Sequence, residues 1–379
     1  MIALFVIAAL APLALWDGDG CRRCDYRGMV RCSAHPEYEG GVLFCSVATA
    51  CTACGGSLLV DCPHCEGGPD TAAAAARLDV IAKWAPTGKL DEVLGRTLPR
   101  IETERFNLVI ETGELKEGKK KVDQHQIAHH VANDVQAVEK LMEPHFQVRA
   151  GDYRSRMRMW IWQNPKDHAL AMEKFLGSTA TGDFKILGMN PVFSVWIEKP
   201  HFDEVPEVRS LFAHNAAHML LSNLHEPEWV GDIGGGWFDA AVGHWYEYAV
   251  FGRTVNYCIE EATLSENYFN GQWRAAIRKR LEMEKEPFLP TLIAKNTGGM
   301  RQSEHALCWS FYDFLVANHP AALRPIAEDL KKKRPTREIF HERLGMDVLA
   351  AEAAWRAWVP TVYPIKGDEP KKSGEDDER

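Results

Sequence analysis

The chain runs to 379 residues, 46% apolar and 26% charged, which gives length for two or three domains with a real core and an ordinary soluble composition. A formal charge of −9 excludes a nucleic-acid partner of the usual kind, because phosphates demand a basic face. The basic runs Lys119–Lys121 and Lys331–Arg334 are short and isolated, and read as solvated loops or helix ends.

Met1–Trp16 carries no charged side chain. It falls short of the ~20 apolar residues that cross a bilayer, and it fits the apolar part of a secretory signal, with Ala9-Leu10-Ala11 as a cleavage context. No Lys or Arg precedes it, and a buried N-terminal helix is the alternative. The expectation is export to a periplasmic or extracellular space, with membrane contact only through this segment if it is not cleaved.

Residues 17–69 hold eight of the ten cysteines. One cluster reads Cys21-x2-Cys24-x7-Cys32-x2-His35, and the other Cys51-x2-Cys54-x7-Cys62-x2-Cys65. Identical spacing makes this an internal repeat with a period of ~30 residues. A C-x2-C pair sets two thiolates on one tight knuckle, half of what tetrahedral zinc requires, so four knuckles predict two zinc ions, one four-ligand set per cluster. Gly28, Gly56 and Gly67 stand where the backbone turns under the metal with positive φ. A disulfide framework is the alternative that export favours. A His in place of one Cys argues for zinc, since imidazole replaces a thiolate on a metal but not in a disulfide. Cys45 has no partner in the pattern and reads as a spare ligand or a buried thiol, and His64 as a bystander. The knuckles resemble the cysteine-rich domain of DnaJ-type chaperones, whose unit is C-x2-C-x-G-x-G. Tyr26 and Leu58 replace two of its glycines. That resemblance implies contact with unfolded polypeptide or a partner protein.

Residues 70–97 read as a helical linker. Gly67-Gly68-Pro69 breaks the chain, Thr71 can cap a helix from Ala72 to Trp84, and Pro86–Gly88 breaks it again. Residues 98–364 read as one domain and 365–379 as a disordered charged tail. Strands are expected at Phe106–Ile110, Met157–Trp162 and Val192–Ile197. A helix is expected at His125–Met142, with Ile127, Val131, Val135 and Val138 on its apolar face and His125 and His129 on a solvated one. Two more follow at Val208–Leu224 and Phe238–Phe251, and the rest to Trp358 is mostly helical. Strands first and helices after predict an α+β fold, with no doubly wound sheet.

The helix Val208–Leu224 carries His214-Asn215-Ala216-Ala217-His218, two imidazoles four apart that can share a metal. The next helix reads Trp237-Phe238-Asp239-Ala240-Ala241-Val242-Gly243-His244-Trp245-Tyr246-Glu247. Together they resemble the gluzincin zinc metallopeptidases, which carry H-E-x-x-H on one helix and a third ligand in a W-L-x-E-G-x-A-x-Y-x-E helix. The resemblance implies a zincin-like fold across the large domain and a zinc at His214 and His218. Asn215 stands at the general-base position, and an amide cannot take a proton from zinc-bound water. Ala240 stands at the third-ligand position, and Ala241 replaces the following glycine. Asp239 or His244 can replace the lost ligand; Asp239 lies ~100° round the helix from position 240, so His244 has the better direction. Trp237, Phe238, Trp245 and Tyr246 read as core.

Three functions follow. The first is an exported non-catalytic protein whose degenerate peptidase fold binds a polypeptide or protein. The second is a metallopeptidase using His214, His218 and His244 or Asp239, with a third zinc. The third is a structural scaffold. The roles of Cys258 and Cys308 stay open.

Overall fold

A computed structural model describes residues 28–35, 38, 41–64, 71–84, 88–179, 184–197, 202–257 and 268–365. Met1–Trp16, Cys21, Cys24, Cys65, Gly67 and Cys258 lie outside the described residues, as does the tail from 366 onward. Among the described residues no helix is long and apolar enough to cross a membrane.

Strand β1 (Met29–Arg31) pairs antiparallel with β3 (Leu59–Asp61), Met29 opposite Asp61 and Arg31 opposite Leu59. Between them in sequence, β2 (Val42–Cys45) leaves this ribbon and joins a larger sheet by pairing antiparallel with β4 (Arg100–Thr103). Val42, Cys45, Ala48 and Leu58 are buried in the same core cluster as the rest of that sheet. The cysteine-rich segment is thus stitched into the large fold by backbone hydrogen bonds and apolar packing. The linker forms the helices α1 (Thr71–Trp84) and α2 (Lys89–Leu94).

The large sheet runs β2-β4-β5-β8-β10-β9, with β5 (Phe106–Ile110), β8 (Met157–Trp162), β9 (Phe184–Ile186) and β10 (Val192–Trp196). The pairs β5–β8 and β8–β10 are parallel, and the others are antiparallel. A hairpin of β6 (Leu115–Glu117) and β7 (Lys120–Val122) stands apart, and its exposed turn takes Lys119 as expected. Each parallel step needs a crossover helix. These are α3 (Gln124–Phe146), started by the Asp123 side chain accepting from the Gln126 N–H, and α4 (Pro165–Leu176), started likewise by Asn164. The helices lie on opposite faces, so β8 is buried on both. Met157, Met159 and Ile161 enter the main core, while Trp160 and Trp162 enter a smaller one with Ala171 of α4. That is why its sequence alternates only loosely.

The expected stripe Ile127, Val131, Val135, Val138 of α3 is fully buried. The neighbouring His pair corrects the expectation of a solvated face: His129 is fully buried and His125 half-buried, because the cysteine-rich segment covers that side of α3.

Helix α5 (Val205–Asn223) lies between α3 and α6 (Gly236–Phe251), and every residue from Ser210 to Asn223 is buried. The chain continues through α7 (Arg274–Met283), α8 (Leu289–Leu292), α9 (Gln302–Asn318), α10 (Leu323–Lys331), α11 (Thr336–Leu344) and α12 (Val348–Val362). The architecture is a mixed α+β fold. Lys331 also departs from expectation. Its ammonium is buried and donates to the carbonyls of Ser222, Leu224 and Glu226, closing the C-terminal end of α5.

Candidate metal centres

Cys32, His35, Cys51 and Cys54 offer ligand atoms that all lie within 4.8 Å of one another. The set crosses the two sequence clusters, one knuckle from each, and so corrects the expectation of one set per cluster. The antiparallel ribbon is the reason. Cys32 follows β1 and Cys54 precedes β3 at the same end of the ribbon, where the Cys32 N–H donates to the Leu58 carbonyl at 3.0 Å. At the other end the Cys62 N–H donates to the Gly28 carbonyl at 2.8 Å, so Cys62 lies away from this set. Gly28 and Gly56 take the positive φ expected of them, 72° and 89°. The backbone N–H groups of Cys54 and Ala53 hold the Cys51 thiol down to about 6, which favours the thiolate, while burial pushes Cys54 up. His35 is buried, and its Nε2 has no hydrogen-bond partner. Three thiols and an imidazole with an orphaned nitrogen suit a tetrahedral metal.

The second centre lies between α5 and α6. His214 and His218 are fully buried, and their Nε2 atoms face each other at 3.2 Å. A tetrahedral ion with bonds of ~2.0–2.1 Å spaces two nitrogens about 3.3 Å apart, so this spacing fits a shared metal. Behind the rings stand two buried carboxylates. His214 Nδ1 meets Glu247 Oε2 at 3.1 Å, and His218 Nδ1 meets Asp239 Oδ1 at 3.0 Å. Both carboxylates already accept from other donors. Glu247 takes the Thr254 hydroxyl, the Asn256 amide and the Val255 N–H; Asp239 takes the Trp229 indole and the Thr297 hydroxyl. As acceptors they place the ring proton on Nδ1 of both histidines, which turns two nitrogen lone pairs toward each other. Burial holds both imidazoles below their ordinary range, and a proton shared between the rings is correspondingly disfavoured. A carboxylate behind each imidazole is also the outer support that metal-ligating histidines carry.

Asp239 reaches His218 directly, against the expectation that it points away. It does so on the Nδ1 side, as a support and not at the Nε2 position. The residue of α6 that faces His218 Nε2 is Gly243, one turn on: a Cβ there would lie 2.3 Å from that nitrogen. His244 stands beside His214 with ring centroids 4.8 Å apart, and His214, His244 and Glu247 form a further group within metal-ligand range. His244 is engaged at both nitrogens, by the Thr254 Oγ1 at 2.9 Å and His305 Nδ1 at 3.1 Å. Asn215 donates its amide back to the Leu211 carbonyl on its own helix at 3.0 Å. Ala240 is buried in the core. Trp237, Phe238 and Tyr246 are core as expected, and Trp245 is partly exposed.

Glu247 and His305 are the members of this centre that sequence reasoning missed. Glu247 had a signal, because it matches the last position of the W-L-x-E-G-x-A-x-Y-x-E pattern. His305 had none. A cleft of about 370 Å³ opens elsewhere, on the α4 face of the sheet, lined by Lys89, Arg100, Arg156, Arg158, Trp160 and Phe175 among others. Cys45 is a buried thiol 3.9 Å from His125 Nδ1, and Cys308 is buried against the Met300 sulfur. No family model matches the chain, and no curated protein matches it.

Proposed function

We propose that this is an exported zinc protein whose large, zincin-like domain binds a polypeptide or protein partner without hydrolysing it. The observation that carries the non-hydrolytic part is Asn215. At the position where the resemblance requires a carboxylate base, its amide turns back onto the Leu211 carbonyl, and an amide does not take a proton from a metal-bound water. The thiol and imidazole set Cys32, His35, Cys51 and Cys54 is taken by zinc in a structural role, with all four positions closed by protein. A second zinc draws on Cys21, Cys24, Cys62 and Cys65, the remaining four knuckle ligands of the sequence. Polypeptide binding rests on the DnaJ-type and gluzincin resemblances, and export on Met1–Trp16. The test is metal content and turnover of the full chain. Two zinc ions lost on replacing Cys32 and Cys62, with no cleavage of casein or a peptide library, is the expected result. Four disulfides and no zinc by mass spectrometry would sink the zinc assignment.

A second reading, a metallopeptidase with an altered site, is favoured by the facing Nε2 atoms of His214 and His218. It expects zinc-dependent proteolysis that disappears in the His214→Ala, His218→Ala double variant.

A further inference from the structure

The geometry points to a separate metal site beside the thiol set, in which His35, His125 and His129 supply three imidazole ligands to a borderline divalent ion. It shares His35 with the proposed structural zinc, and that ring would bridge the two ions.

His35 Nδ1 lies 3.0 Å from His125 Nε2. His125 and His129 are one turn apart on α3, with ring centroids 4.6 Å apart and planes at 89°, and His35 lies 6.5 Å from His129 by the same measure. One nitrogen from each ring falls within 4.8 Å of the other two. The decisive residue is His129. It is fully buried, and neither of its nitrogens has a hydrogen-bond partner. An imidazole buried with both polar atoms unpaired costs about 1–3 kcal/mol per group, so a native core rarely keeps one without a ligand. A neutral imidazole is the form that binds a metal.

The pairing of His35 with His125 does not remove the need. One hydrogen bond satisfies one nitrogen on each ring and nothing on His129. An ion among the three would bind a nitrogen of each, and His35, common to both sets, would bridge the two ions through its two ring nitrogens once its N–H proton is released. Cys45 Sγ, 3.9 Å from His125 Nδ1, supports that ring from behind. Two neutral imidazoles and a bridging imidazolate suit zinc, cobalt, nickel or copper and not calcium or magnesium, and they leave a fourth position open. The two sites would then be coupled through one imidazole, tying the cysteine-rich segment to α3.

The experiment uses the full chain, stripped and reloaded with cobalt, comparing wild type with His129→Gln and His125→Asn. Metal per chain is counted after dialysis, and the absorption spectrum separates sulfur-bound from nitrogen-bound ions. Both variants are expected to hold one ion fewer than wild type, or to bind that ion at least ~100-fold more weakly, while the thiolate-to-cobalt band persists. If that band is absent in wild type but the difference of one ion remains, the thiolate assignment fails and this site stands. Equal metal content and affinity in wild type and variants would overturn the proposal. Should the buried His129→Gln change prevent folding, the half-exposed His125→Asn gives the same reading alone.

Discussion

At single residues, backbone conformation and charge state carry information that composition does not. Leu58 occupies a glycine position of the knuckle unit and keeps the glycine conformation, φ 64°, with its side chain fully buried. The left-handed backbone costs a leucine ~1–2 kcal/mol, whereas emptying a buried leucine site costs ~2–5 kcal/mol. Burial wins, so Leu58→Gly is expected to lower stability by about 1–3 kcal/mol, read as a lower urea midpoint. A gain in stability would show that strain dominates. Residue identity in the sequence singled out Cys32, His35, Cys51 and Cys54, and also His214, His218 and Asp239, but identity says nothing of protonation. Burial lowers His305 to about 3 and His129 likewise. Each folded-state value lies below the unfolded one of ~6.5, so between those values the unfolded chain binds more protons and stability rises with pH. The contribution is complete above ~6.5 and is lost as pH falls, at about 2 kcal/mol for His305 by pH 5. The melting temperature of the metal-stripped chain is expected to fall steeply between pH 6.5 and 5. A flat profile there would show that these histidines are not buried neutral.

Among elements, the strands Phe106–Ile110 and Met157–Trp162 were legible because they are long, apolar and buried. The short strands β2, β4 and β9 were not, since three or four residues hold no period to read, and only pairing makes them strands. Helix facing was the harder matter. α5 is apolar all round, so its pattern could not say which side meets α6, and the expectation for Asp239 failed on that rotation. The face is set by Gly243, the position whose missing side chain admits His218. In Gly243→Ala the new Cβ would sit 2.3 Å from His218 Nε2, and that ring is pinned by Asp239. The helices must part or the imidazole must leave its carboxylate. The expected loss is ~1–3 kcal/mol by denaturant unfolding, with any metal affinity of the His214–His218 pair falling too. Unchanged stability would show that α6 does not press on His218 at this point.

For the whole molecule, the question is whether the cysteine-rich segment melts alone. Read from the sequence, it is a separable unit bounded by Gly67-Gly68-Pro69, and chelation should unfold it and spare the rest. The structure joins the two parts. β2 extends the main sheet through β4, Val42, Cys45 and Leu58 enter the main core, and His35 reaches His125 on α3. Such joints were invisible in the sequence because they pair residues 42–45 with 101–103, and separation along the chain carries no local signal. Loss of metal from Cys32, His35, Cys51 and Cys54 would release the turns that hold β1 and β3 together, and with them the approach of β2 to the edge of the sheet. An exposed β4 edge and an uncovered α3 face would follow, both of them part of the large fold. Chelation is therefore expected to lower the melting temperature of the full chain in one cooperative transition, seen alike by far-ultraviolet dichroism and by the fluorescence of its tryptophans, most of which lie beyond the cysteine-rich segment. Two separated transitions, the tryptophan signal unmoved by chelator, would show that the β2–β4 pairing is too weak to couple the parts.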